Sequence, residues 1–181
     1  MNIFSWFLKK PKEKSPTSIS PGAKDSLDGK KNTLSSVDID PEGAALFDGF
    51  QKAMELKKQG KFSEAEALLI KSTEPPSIYK GHYRELFKVW RQFNRDDLKA
   101  KEYEKVTGRI INMLRLDDEM IDEMLRYWSI QQNRKLPKDY FETSRNILVS
   151  DAKALKKSAE LLQNEENIIL SEKLIERFAK K

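Results

Sequence analysis

From residue 43 onward, apolar residues recur every three or four positions, the spacing of one face of an α-helix. Leu46, Phe47, Phe50, Ala53 and Met54 share the face of a first predicted helix, which Gly60 ends. Ser63, with Glu66 three residues on, reads as a capping box. It would open a second helix lined by Ala65, Leu68, Leu69 and Ser72 and stopped by Pro75-Pro76. A third helix carries Tyr79, Tyr83, Leu86, Phe87, Trp90 and Phe93. A fourth, opened by Asp96 or Asp97, carries Leu98, Tyr103, Val106, Ile110 and Leu114. The acidic run Asp117-Asp118-Glu119 suits the positive end of a fifth helix bearing Met120, Ile121, Met124, Leu125 and Trp128. Pro137 opens a sixth with Tyr140, Phe141, Ile147 and Leu148. A seventh follows Ser150, and an eighth holds Ile168, Ile169, Leu174, Ile175 and Phe178. No strand alternation competes, so the predicted fold is all-α, with antiparallel helical hairpins joined by short turns.

The pattern is absent before residue 43. Residues 9–42 contain Pro11, Pro16, Pro21 and Pro41, many Ser, and only scattered Ile, Leu and Val. Such a segment buries too little apolar area to offset its ordering entropy, and it reads as a disordered linker. As a coil it spans on the order of 30 Å. Residues 1–8, Met-Asn-Ile-Phe-Ser-Trp-Phe-Leu, precede Lys9, Lys10, Lys12 and Lys14. A secretory signal has its charge before its apolar core, the opposite order. Three regions follow: an apolar anchor or docking peptide at 1–8, a linker at 9–42, and a helical domain at 43–181.

Composition narrows the chemistry. The 181 residues include no Cys and one His, which removes thiol redox chemistry, disulfides, thiolate zinc sites and His clusters. No cofactor is indicated. No apolar run approaches the roughly 18 residues of a spanning helix. The net charge of +5 comes from 34 basic and 29 acidic side chains, a near balance rather than a basic tract. The lack of Cys suits a reducing, cytoplasmic setting.

Residues 44–77 resemble one tetratricopeptide (TPR) repeat, a pair of antiparallel helices. The resemblance is carried by small Ala53, the turn Gln59-Gly60-Lys61-Phe62, then Ser63-Glu64-Ala65, Leu69, Ser72 and the Pro75-Pro76 stop. Small residues let two helix backbones approach, and such a unit needs stacked neighbours to cover its apolar face. A 34-residue step places Asn94 at Gly60, Asp96 at Phe62 and Lys99 at Ala65, so a second unit is degenerate. Gly108, inside the fourth helix, would fit a close helix crossing. The resemblance implies a right-handed solenoid of hairpins with a peptide-binding groove; an irregular helical bundle with one look-alike turn is the alternative.

Two surfaces carry candidate chemistry. Lys80, Arg84, Lys88, Arg91 and Arg95 form a stripe along the third helix, beside Tyr83, Phe87 and Trp90. If that helix lines the groove, as the resemblance implies, the stripe would hold acidic side chains or a terminal carboxylate of a protein partner. The plainer alternative is a solvated face balanced by Glu85, Asp96 and Asp97. At the N-terminus, Phe4, Trp6, Phe7 and Leu8 beside Lys9 and Lys10 have the make-up of an interfacial anchor at the inner surface of a membrane, or of a peptide that docks in a protein groove. The acidic cluster Asp117, Asp118, Glu119, Asp122 and Glu123 lacks calcium-loop spacing and reads as helix-end charge. His82 has no nucleophile motif around it and reads as structural or solvated.

The expected function is a non-enzymatic interaction scaffold or adaptor for an acidic protein partner, with weak membrane-surface contact at its N-terminus. Nucleic-acid binding through the third helix, the start of the fourth and Lys180-Lys181 is the alternative, opposed by the acidic residues spread through the same helices. Nothing in the spacing of carboxylates points to catalysis.

Overall fold

The computed structural model describes residues 41–133 and 136–179, and every element among them is helical. Six α-helices are present: α1 Pro41–Lys58, α2 Phe62–Lys71, α3 Lys80–Ala100, α4 Tyr103–Gln132, α5 Val149–Leu161 and α6 Glu165–Ala179. A 3-10 helix, Lys138–Ser144, lies between α4 and α5 and packs on α4. Each α-helix packs chiefly on its neighbours in sequence, giving the hairpins α1–α2, α3–α4 and α5–α6, joined by α2–α3 and α4–α5 contacts.

The three hairpins turn in the same way. Leu56, Asp97 and Ala159 each offer a carbonyl to the amide five residues on: Lys61 at 2.9 Å, Glu102 at 2.8 Å and Asn164 at 2.9 Å. The carbonyls of Lys57, Leu98 and Glu160 accept from Gly60, Lys101 and Gln163. This double closure requires a left-handed residue just past the helix end. Gly60 adopts it at φ 77° without strain, whereas Lys101 (φ 63°) and Gln163 (φ 55°) adopt it with a Cβ. The fold therefore repeats at its turns. The residues that make those turns differ, and the spacing between them is unequal.

The buried apolar residues form one continuous core cluster. Ala53 and Ala65 are fully buried between α1 and α2, with Leu69, Tyr83, Leu86, Phe87, Val106, Ile110, Met113 and Leu155 continuing it. The Tyr83 hydroxyl accepts from the Ser77 amide at 2.8 Å and donates to the Thr73 carbonyl at 3.3 Å, pinning the α2–α3 connection to α3.

Several sequence expectations are corrected. α1 starts at Pro41 rather than 43; the first turn of a helix tolerates proline because the N–H that proline lacks would have no intrahelical acceptor there. Ser63 does not cap α2. The Gly60 turn is so short that the helix begins at Phe62, with Lys61 as N-cap, and Glu66 accepts instead from Trp90 Nε1 at 2.5 Å. Asp96 and Asp97 belong to the end of α3, not the start of the next helix. The fourth and fifth expected helices are one, α4, because the apolar period runs unbroken through Met113, Leu116, Met120 and Ile121. Asp117 thus lies in mid-helix, fully buried. Gly108 marks no close crossing: it is exposed, and a Cβ there would meet nothing within 4 Å. Phe47, Tyr79, Trp128, Tyr140 and Ile169, assigned to apolar faces, are 39–58% exposed. Periodicity identifies a face but not whether a neighbouring helix is long enough to cover it.

Candidate partner-binding face

α3 is bonded to four other helices, and those bonds define which part of it stays open. Glu85 faces α1, accepting from Lys57 Nζ at 2.5 Å. Trp90 reaches Glu66 of α2. Asn94 and Asp97 face α4, where the Arg109 guanidinium donates to Asn94 Oδ1 at 2.6 Å and lies 2.8 Å from Asp97 Oδ2. Arg91 faces α5, with Nε 2.8 Å from Asp151 Oδ1, Nη2 2.6 Å from Asp151 Oδ2, and a further bond of 2.7 Å to the Asn146 carbonyl. The surface between the α1-facing and α5-facing sides holds Arg84, Lys88 and Arg95, all exposed, with half-buried Lys80 at its start.

The predicted stripe is therefore contiguous but not uniform. Arg91 is tied into the fold, its side chain only 16% exposed against a 3% exposed Asp151. That carboxylate also accepts from the Leu148 amide at 2.9 Å, so one group closes the first turn of α5 and anchors α3. Arg84 and Lys88 lean on Glu85, at 3.4 Å and 2.7 Å, yet remain 60% and 54% exposed. Arg95 donates to Gln92 on its own helix. Burial alone pushes the Glu85 carboxyl up, but the bonds and charges of Lys57 and Lys88 outweigh it and hold the group below its ordinary range. Glu85 is thus an anion that orders two cations without covering them.

An open groove of about 190 Å³ runs beside the stripe, lined by Arg91, Asn94, Arg95 and Leu98 of α3 and by Ser150, Asp151 and Ala154 of α5. Arg95 is the exposed cation of its lining, and Leu98 and Ala154 are its apolar residues. Tyr83 and Phe87 are fully buried and Trp90 nearly so, hence the aromatics beside the stripe in sequence are core, not contact surface.

The acidic cluster is divided among different cations. Asp117 accepts from the Asn146 amide at 2.8 Å and from Arg145 at 3.2 Å, while Arg145 also binds Asp118 and Glu142. Burial raises the Asp117 carboxyl above its ordinary value despite those bonds. Glu119 binds Arg115 and Glu123 binds Arg126. Among the described residues no group of three or more His, Asp or Glu side chains is arranged to hold a metal ion, and no helix is long and apolar enough to cross a membrane. His82 is buried, stacked on Phe50 at 4.5 Å, with Nδ1 3.3 Å from the Ser72 carbonyl; burial lowers its pKa against that bond.

Phe4, Trp6, Phe7, Leu8, Lys9 and Lys10 lie outside the described residues, as do Lys180 and Lys181. Asp151, Asn146 and Lys57, which shape the face, carry no sequence signal for that role. Arg91 and Asp151 are 60 positions apart, and only the α3–α5 approach pairs them.

No protein-family model, curated protein or solved structure matches the chain.

Proposed function

We propose that the chain is a non-enzymatic interaction scaffold that binds an acidic segment of a protein partner along the open face of α3, with the N-terminal apolar and lysine-rich segment holding it weakly at an anionic membrane surface. The observation that carries the reading is the exposure of Arg84, Lys88 and Arg95 on the one side of α3 that α1 and α5 leave open. Cations fixed on a cross-braced helix present a preformed surface, and an acidic peptide binding it pays little ordering entropy on the scaffold side. The adjoining groove supplies apolar contact at Leu98 and Ala154 for side chains interleaved with the acids. TPR-like stacking accords with this face, since the inner helices of such stacks line the groove.

Nucleic acid is the less favoured ligand. The open face offers only a few cations, and the 34 basic side chains of the chain are nearly matched by 29 acidic ones, whereas a phosphate backbone calls for a concentrated basic surface.

The test is fluorescence anisotropy of a labelled peptide of alternating Glu and Leu with the full chain. A variant carrying Arg84→Glu, Lys88→Glu and Arg95→Glu keeps Arg91 and with it the fold. Binding should fall more than tenfold in that variant and weaken with salt in the parent. Equal affinity in both proteins at unchanged melting temperature would remove the proposal.

A further inference from the structure

α6 buries one side and leaves the other open. Ser171, Leu174 and Phe178 are its buried residues. Glu165, Ile169 and Glu172 follow one another at intervals of four and three, which puts them on one face, and all three are exposed, Ile169 at 53%. Lys156 of α5 lies 2.7 Å from Glu172 yet leaves that side chain 54% exposed. Glu165 makes no ion pair among the described residues.

This face falls in residues 158–172, the longest stretch of described chain without a Lys or Arg, and that stretch holds four glutamates. The chain thus carries an acidic helix face as well as the cationic one on α3. Their spacings match. Lys88 and Arg95 are seven residues apart on α3, as are Glu165 and Glu172 on α6, so each pair spans about 10 Å along one side of its helix. Ile169 lies between the two acids, and Leu98 and Ala154 give apolar lining to the groove that Arg95 borders.

We infer that the open face of α3 takes α6 of a second copy of this chain. The inference rests on the acidic-ligand reading of α3 given above and names the ligand. Glu165 and Glu172 of one copy meet Lys88 and Arg95 of the other, and Ile169 enters the groove at Leu98 and Ala154. Within one chain α6 is held on α5 with this face turned to solvent, so the contact is between copies. A two-fold pairing of α6 with α6, or of α3 with α3, would set like charges against each other. The contact is therefore head-to-tail, each copy keeps one face of either kind, and association continues until it closes into a ring or extends as a chain.

Sedimentation velocity of the full chain tests it. The parent should associate as its concentration rises, and less so as salt is added. Lys88→Glu with Arg95→Glu in one variant, and Glu165→Lys with Glu172→Lys in another, should each weaken association at least about tenfold at unchanged melting temperature. Mixed in equal amounts, the two variants should associate again, because each carries the complement of the other's reversed face; a variant that had merely lost its fold would not. A parent still monomeric at about 1 mM, where a contact of millimolar affinity is substantially formed, overturns the inference. So does association that survives either reversal, or a mixture that stays monomeric. The Glu–Leu peptide separates this result from the reading beneath it, since the α6 variant keeps the whole α3 face and should bind peptide like the parent. Peptide binding by a monomeric parent leaves the α3 reading standing and removes the second copy as its ligand; neither peptide binding nor association removes both.

Discussion

Replacing Arg91 by Ala separates the stripe cations that hold the fold from those free to bind a partner. Arg91 makes two charge-assisted bonds to Asp151 and one to the Asn146 carbonyl, and both side chains of the ion pair are largely withdrawn from water. Truncation leaves the 3% exposed Asp151 carboxylate with only the Leu148 amide. Charge-assisted bonds contribute about 1.5–3 kcal/mol each, and stranding a buried carboxylate costs about 3–5 kcal/mol, so a loss of about 3 kcal/mol is expected once the cavity rehydrates. For an ordered region of this size that lowers the melting temperature by roughly 10 °C, read from helical circular dichroism at 222 nm. Arg91→Lys should recover less than half, because an ammonium cannot span both carboxylate oxygens. Arg84→Ala and Arg95→Ala, on exposed groups, should stay within about 0.5 kcal/mol of the parent. A melting temperature for Arg91→Ala within about 2 °C of the parent, or an equal drop for Arg84→Ala, would refute the division of the stripe.

Three further outcomes follow from the same bonds. Arg145→Met should cost about 3–5 kcal/mol in urea unfolding because it strands the fully buried Asp117, and adding Asp117→Asn should restore most of that loss; a double variant no more stable than the single would count against the pair. His82 is the chain's one histidine and its pKa is lowered by burial, so the unfolded chain takes up a proton first as pH falls below about 6.5. Its contribution to stability is therefore complete at higher pH and lost on acidification, and His82→Phe should flatten the urea midpoint between about pH 7 and 5 relative to the parent. Lys101→Gly relieves a left-handed Cβ and Gly108→Ala fills open space in a helix interior, so each should add about 0.5–1 kcal/mol; a destabilised Gly108→Ala would restore the close crossing that its sequence position suggested.

The helical class and the α1–α2 hairpin were legible in the sequence because their signals are local. Ala53, Gly60, Ala65 and Leu69 state a small–turn–small unit within twenty residues. The other hairpin turns were not legible: Lys101 and Gln163 carry out the glycine's role with residues that have no turn preference. Asp117-Asp118-Glu119 misled for the same reason. Acids favour a helix start when they face water, but Asp117 faces Arg145 and the Asn146 amide, partners nearly 30 positions away. The stripe on α3 was readable as spacing. Its division into Arg91, spent on α5, and Arg84, Lys88 and Arg95, left open, depends on which helices flank α3, and local pattern contains no such information.

That division bears on how the face would work. α3 is the helix braced by α1, α2, α4 and α5 through Glu85, Trp90, Asn94 and Arg91. Its open side therefore moves with the core rather than as a loose element, and the side chains, not the backbone, adapt to a ligand. On the proposed reading, the exposed cations act at the rim of the contact, where charge governs encounter rate and salt dependence more than residence time. Residence must then come from the apolar groove at Leu98 and Ala154, since half-exposed ammonium and guanidinium groups are screened within about 8 Å at physiological salt. An acidic segment without apolar side chains should associate fast and leave fast, and one with a Leu spaced to reach Leu98 should leave slowly. The physical reason is that burial of apolar area, unlike surface charge, survives both water and salt.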